Sequence, residues 1–207
     1  MRKNPVCRMK KNIYFMWIVS ILLLLGCSSP VALGHYSLEF FAPSSDNTTS
    51  LTQDSVGIED FSSVKALDRN EVLLRTGETN QVLFATHSLW WALPKEIVSE
   101  TFHNYLEAQN VFVHVVHYPT LQKIKYVVQG KVHRFEIRQG VDKWETVLAI
   151  QLYLIDAETQ KIQWKSGVIE SNLTCEADMD SAATSMEENL VRIYDLLLEK
   201  LKDFLKV

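Results

Sequence analysis

The stretch KWETVLAIQLYLIDA, residues 143–157, decides the fold. Successive side chains of a strand point to opposite faces. Trp144, Leu148, Ile150, Leu152 and Leu154 then share one face, and Val147, Ala149, Tyr153 and Ile155 share the other. Apolar residues on both faces predict a central strand covered from both sides.

The neighbouring sequence supplies partners for such a strand. In KYVVQGKVHRFEIRQG (125–140) the apolar parity passes from Tyr126, Val128 and Val132 to Phe135 and Ile137. That change predicts a bulge or twist near Gly130–His133. Downstream, DAETQK turns the chain into IQWKSGVIES (162–171), where Ile162, Trp164 and Val168 are expected on one face and Lys165 and Gly167 on a more exposed side. SVGIEDF (55–61), EVLLRT (71–76) and QVLFATH (81–87) also have strand character, the last two joined by GETN (77–80) as a hairpin. In HYSLEFFAP (35–43), Tyr36, Leu38 and Phe40 alternate as a half-buried strand does. The turn-forming SSDNTTSLTQD that follows predicts a flexible loop at about 43–54.

Two segments carry helical periodicity. Within LWWALPKEIVSETFHNYLEAQN (89–110), Pro94 suits the first turn and Ile97, Val98, Phe102, Tyr105 and Leu106 fall on one face. Lys95, Glu96, Ser99, Glu100, His103 and Glu107 are expected to face outward. Trp91 is expected to pack back on the first turn, leaving Trp90 to point elsewhere. The closing segment 180–207 places Ala183, Met186, Leu190, Ile193, Leu197, Leu201 and Phe204 in one stripe. Acids near its start and Lys200, Lys202 and Lys206 near its end complement the helix dipole. A stripe of this kind predicts a core-facing helix long enough to lie across the sheet.

The N-terminus has a different order. Arg2, Lys3, Arg8, Lys10 and Lys11 precede an apolar run, Ile13–Leu25, that ends on Gly26 and Cys27. The run falls short of the roughly 20 residues needed to span a bilayer. Its positive, apolar, small-residue order is that of an export signal, with Met1 and Met9 both standing as starts. Leu24-Leu25-Gly26-Cys27 resembles a lipobox, in which cleavage precedes a cysteine that then receives acyl chains of the palmitate type. Several such chains give a stable anchor where one does not. Ser28 follows the cysteine, and by resemblance to sorted lipoproteins the absence of Asp there favours the outer membrane. The expected organisation is a signal at 1–26, a lipidated tether at 27–34 and one domain at 35–207.

Loss of the signal would take the formal net charge from −4 to about −9. An acidic chain of this kind disfavours a nucleic-acid partner. Cys7 lies in the signal and Cys27 would carry lipid, so Cys175 has no partner within the chain and no disulfide framework is expected.

Catalytic signatures do not accompany this organisation. The chain has no Gly-x-Ser-x-Gly elbow, phosphate-cradling glycine loop, Cys-x-x-Cys or His-Glu-x-x-His. His114 and His117 stand three apart, which on a strand puts them on opposite faces and argues against a zinc pair. Glu136 and Glu145 flank a turn and are expected to be ordinary solvated carboxylates. The adjacency of His87 and Ser88 does not establish a nucleophile and base. Trp90, Trp144 and Trp164 are candidates for a lipid- or protein-binding surface, with a core role preferred for Trp144. No catalytic residue, metal or cofactor is expected.

Several of these segments together resemble the ABC-type transport auxiliary lipoproteins, the PqiC-like family, from about Cys27 to the C-terminus. The motifs are Leu67-Asp68-Arg69 before a strand, Trp91-Ala92 with Pro94 before a helix, and Phe135-Glu136 in a later strand. Trp90 stands where relatives often have Arg. The resemblance implies an α/β domain of three layers, a mixed sheet with helices on both faces like the anticodon-binding and TolB N-terminal folds, with a long C-terminal helix. It also implies a lipid-anchored, periplasmic, non-catalytic accessory of an ABC transporter and an MCE-type protein, moving lipids across the envelope. Direct lipid contact and homo-oligomers are compatible with that role. The alternative is a structural or assembly lipoprotein of the outer membrane with no transporter partner.

Overall fold

The computed structural model describes residues 33–44, 49–76 and 81–206. The proposed signal, Cys27, most of the tether and the GETN turn lie outside the described residues, as does part of the proposed 43–54 loop. Leu33–Val207 forms one compact unit. Its strands are β1 (Gly34–Tyr36), β2 (Ser55–Glu59), β3 (Ser62–Ser63), β4 (Glu71–Thr76), β5 (Val82–Trp90), β6 (His114–Tyr118), β7 (Tyr126–Gln139), β8 (Lys143–Asp156) and β9 (Ile162–Glu176). Helix α1 spans Pro94–Ala108 and α2 spans Met179–Leu205.

All nine strands belong to one mixed sheet. One edge of β7 pairs antiparallel with β8, which pairs antiparallel with β9. Its other edge is shared by three strands in succession, β2 at Val127, β3 at Lys131 and β4 at Ile137, all parallel. From there β2 leads to β6, and β4 leads through its antiparallel partner β5 to β1. The β4–β5 pairing is the hairpin the sequence predicts. The expected bulge in β7 is also present, as a register shift between Val132 and Arg134.

Helix α1 begins on Pro94, whose missing N–H costs nothing at that position. Glu96 accepts a hydrogen bond from the Leu93 N–H at 3.1 Å and so satisfies a donor at the helix entrance. In α2, Asp178 caps the start by accepting from the Ser181 N–H and hydroxyl, each at 2.8 Å. The expected α2 stripe is buried from Ala183 to Leu201, with Phe204 partly buried on the same core.

The mixed sheet and long closing helix follow the sequence reading, but the helices do not take one face each. Both pack on one core. Phe102 of α1 touches Tyr194 of α2 edge-on at 5.3 Å, and Thr101 shares a 2.7 Å hydrogen bond with the Tyr194 hydroxyl. The burial of β8 on its other face has a different origin. Val147 lies between Glu136 and Asn172, and Ala149 between Arg134 and Glu170. Arg134 meets both Glu170 oxygens at 3.0 and 3.1 Å, so the pair spans Ala149 like a strap. Short apolar side chains are covered there by long polar ones, whose aliphatic stems exclude water without a second helix layer among the described residues.

Three finer expectations are corrected. Trp90 is buried and Trp91 is 74% exposed, the reverse of the expected staple. Trp90 ends β5 on its inward face, edge-on to Phe135 at 5.3 Å and to Tyr36 at 6.5 Å. His103 is buried, because β6 lies against that flank of α1 and His117 stacks on it at 4.0 Å. Ile162, Trp164 and Val168 do not share one environment. Gly167 has φ +72°, and register shifts in the β8–β9 pairing leave Ile162 and Val168 exposed while Trp164 packs on the core. The first strand is also shorter than expected, although alternating burial continues through Leu38 and Phe40.

Candidate functional surface

The three motifs converge on one junction, where the β4–β5 hairpin joins the sheet and α1. Leu67 is buried in the core. Asp68 accepts from the Ser63 hydroxyl at 2.9 Å and from Lys95 Nζ at 3.2 Å, tying the turn before β4 to the first turn of α1. These two contacts hold its carboxyl below the usual range, with Ser63 the larger cause. Arg69 places its guanidinium 4.2 Å from the centre of the Phe84 ring.

Phe135 faces Trp90 within the core, while Glu136 points to the opposite face of the sheet. There Arg75 of β4 donates from Nε and one terminal nitrogen to the two Glu136 oxygens, at 3.0 and 3.1 Å. Glu136 is 4% exposed, so this two-pronged pair is nearly desolvated and geometrically demanding. The hydrogen bond to Glu136 raises the Arg75 pKa above its ordinary value. Glu145 is paired separately, with Arg138 at 2.8 Å. The expectation of solvated carboxylates is corrected for Glu136, which is buried, and both carboxylates face an arginine in salt bridges along one sheet face.

The remaining candidates separate in space. His87 is exposed on β5 and Ser88, its neighbour in the chain, is half-buried. His114 and His117 are both exposed on β6, and His117 turns to the stacked ring of His103. Trp144 and Trp164 pack against the core, Trp164 beside Phe204 at 6.4 Å. Burial raises the pKa of Cys175, which disfavours the reactive thiolate. Among the described residues no three His, Cys, Asp or Glu side chains converge as metal ligands, and no helix is long and apolar enough to cross a membrane.

What the junction displays is a surface. A groove of about 610 Å³ runs beside the start of α1, lined by Leu38, Phe61, Trp91, Ile97, Glu100 and His117 among others. Trp91 stands over it, fixed at its backbone by an N–H to the Tyr36 carbonyl at 2.9 Å and flanked by His35 at 6.4 Å. An exposed aromatic held on a rigid strand end beside an apolar groove suits the recognition of another molecule. Sequence reasoning identified the tryptophan pair but not its orientation. It gives no pairing to Arg75 or Lys95, whose partners lie far away in the chain.

The solved structure of protein XCC0632 from Xanthomonas campestris matches with a TM-score of 0.71 at 12% identity, covering 83% of this chain and 96% of that one. A second solved structure, of an uncharacterised protein, gives 0.65 at 15% identity, covering 82% and 99%. At these identities the likeness establishes the fold. No curated protein matches the sequence. A family model described as ABC-type transport auxiliary lipoprotein component matches residues 36–195. The match takes in the hairpin, all of α1, the first part of α2 and all three motifs, and the chain belongs to the ABC-type transport auxiliary lipoprotein component family.

Proposed function

We propose that this chain is a lipid-anchored, non-catalytic accessory of an ABC/MCE-type transport system, held through Cys27 at the periplasmic face of the outer membrane and serving lipid traffic between the two membranes. The family match over residues 36–195 carries this reading. The lipobox at Leu24–Cys27 supports the anchor. The chemistry of the motif residues supports a role without catalysis: Leu67 and Phe135 fill the core, Asp68 and Glu136 hold salt bridges, and Trp91 is left as a contact.

The test is recovery of partners from chemically crosslinked envelopes of cells making the full chain. Co-recovery of an MCE-type protein or an ABC transporter subunit is expected, and Trp91→Glu is expected to lower it at unchanged protein level. Recovery of neither, from intact and correctly located protein, overturns the transport role in favour of a structural lipoprotein.

A further inference from the structure

Four exposed apolar side chains lie at the end of the sheet formed by the start of β5 and the β7–β8 turn. Val82, Leu83 and Phe84 of β5 are 37%, 42% and 37% exposed. Beta-5 carries no charged residue from Val82 to Trp90, although an edge strand is ordinarily guarded by charge or proline. Only Ser88–Trp90 of β5 pair with β1, so the edge of Val82–His87 away from β4 has no strand beside it among the described residues. The β7–β8 turn lies at the same end, because Thr76 of β4 is level with Gln139 of β7. That turn presents Val141, 98% exposed. Arg69 lies exposed over the Phe84 ring, a cation beside an apolar surface.

The start of the described chain indicates what covers this end. Strand β1 runs parallel to β5 with Gly34 opposite Ser88, so the N-terminal end of β1 faces the Val82 end of β5. Cys27 lies six residues before Leu33, a reach of at most about 20 Å. A lipid on Cys27 therefore keeps the β1 entrance, and the apolar end beside it, close to a bilayer. We propose that Val82, Leu83, Phe84 and Val141, with Arg69 at their margin, form a surface that rests on the membrane to which the chain is tethered. The apolar side chains enter the headgroup boundary and the guanidinium meets lipid phosphate. The inference rests on the anchoring of Cys27 proposed above and adds an orientation to it: the opposite end of the sheet, with Ile162, faces away from that membrane.

The test uses lipidated full-length protein on vesicles of phosphatidylethanolamine and phosphatidylglycerol whose acyl chains carry a bromine quencher. Phe84→Trp and Leu83→Trp report the proposed resting end, and Ile162→Trp reports the other. The emission added at residue 84 or 83 is expected to fall by about half, as for a ring 5–10 Å deep, and that at residue 162 to change little. Equal or absent quenching at both ends, in protein that floats with the vesicles, overturns the resting surface and leaves the anchor standing. Failure to float overturns both. Protection of residue 84 in a stable dimer, without quenching, assigns the strand to a second copy and also overturns the inference.

Discussion

Arg75 and Glu136, 61 residues apart in sequence, meet through two parallel hydrogen bonds of 3.0 and 3.1 Å on the sheet face opposite the one that packs on the helices. The pair fastens the β4–β5 hairpin to β7 beside their parallel pairing, and the hairpin in turn presents Trp90 inward and Trp91 outward.

Breaking this pair from one side leaves the other charge nearly buried. Arg75→Met is expected to destabilise the domain by about 2–3 kcal/mol, with Arg75→Met combined with Glu136→Leu costing less than the single change. The exposed Arg134–Glu170 pair provides the contrast: Arg134→Ala is expected to cost no more than about 1 kcal/mol. Urea unfolding midpoints of the four proteins decide the matter, and equal effects at the two pairs would contradict the assignment.

The two adjacent tryptophans are expected to respond oppositely. Trp90→Ala empties a buried site against Phe135 and Tyr36 and should cost about 3–5 kcal/mol. Trp91→Ala should leave stability within about 0.5 kcal/mol while weakening partner recovery. Thermal unfolding and crosslinked recovery of the same two variants separate core from contact.

Gly130 accommodates the Phe61 ring, since a Cβ there would lie 2.3 Å from two of its ring carbons. Gly130→Ala is expected to destabilise by about 1–3 kcal/mol through overpacking, and Gly130→Ala with Phe61→Leu to recover part of that loss. Differential scanning calorimetry tests it, and an unchanged Tm for the single variant would show that the ring moves aside freely.

Acid should loosen the entrance of α2. The Ser181 N–H and hydroxyl hold the Asp178 carboxyl below its ordinary value of 3.8. A carboxyl whose pKa is lower in the folded state contributes its full stabilisation above the unfolded pKa and loses it as pH falls through the folded one. The Tm of the native chain is therefore expected to drop below about pH 4, and that of Asp178→Asn to drop less over the same range. Parallel pH–Tm curves for the two proteins would contradict the cap.

Much of the fold is legible because it rests on local periodicity. The two-sided parity of β8, the stripe of α2, the Pro94 helix start and the bulge in β7 all follow from the order of apolar residues, and all are present. The failures arise where one element decides another's environment. His103 belongs to the outer flank of α1 until β6 lies against it, and Trp90 and Trp91 are interchangeable until β5 fixes which faces inward. The parity of β8 predicts the burial of Val147 and Ala149, but the covering layer is side chains such as Arg134 and Glu170 from flanking strands. No periodicity encodes such a cover. The candidate surface was legible only as motifs, because its Arg75–Glu136 and Lys95–Asp68 contacts join distant segments.

The most direct test of a lipid-anchored transport auxiliary is mass spectrometry of the full-length chain extracted with mild detergent from its own membranes. The account predicts a mature N-terminus at Cys27 carrying acyl chains, together with co-purifying ABC or MCE-type subunits. A chain with an unmodified Cys27 that elutes without transport subunits would contradict it.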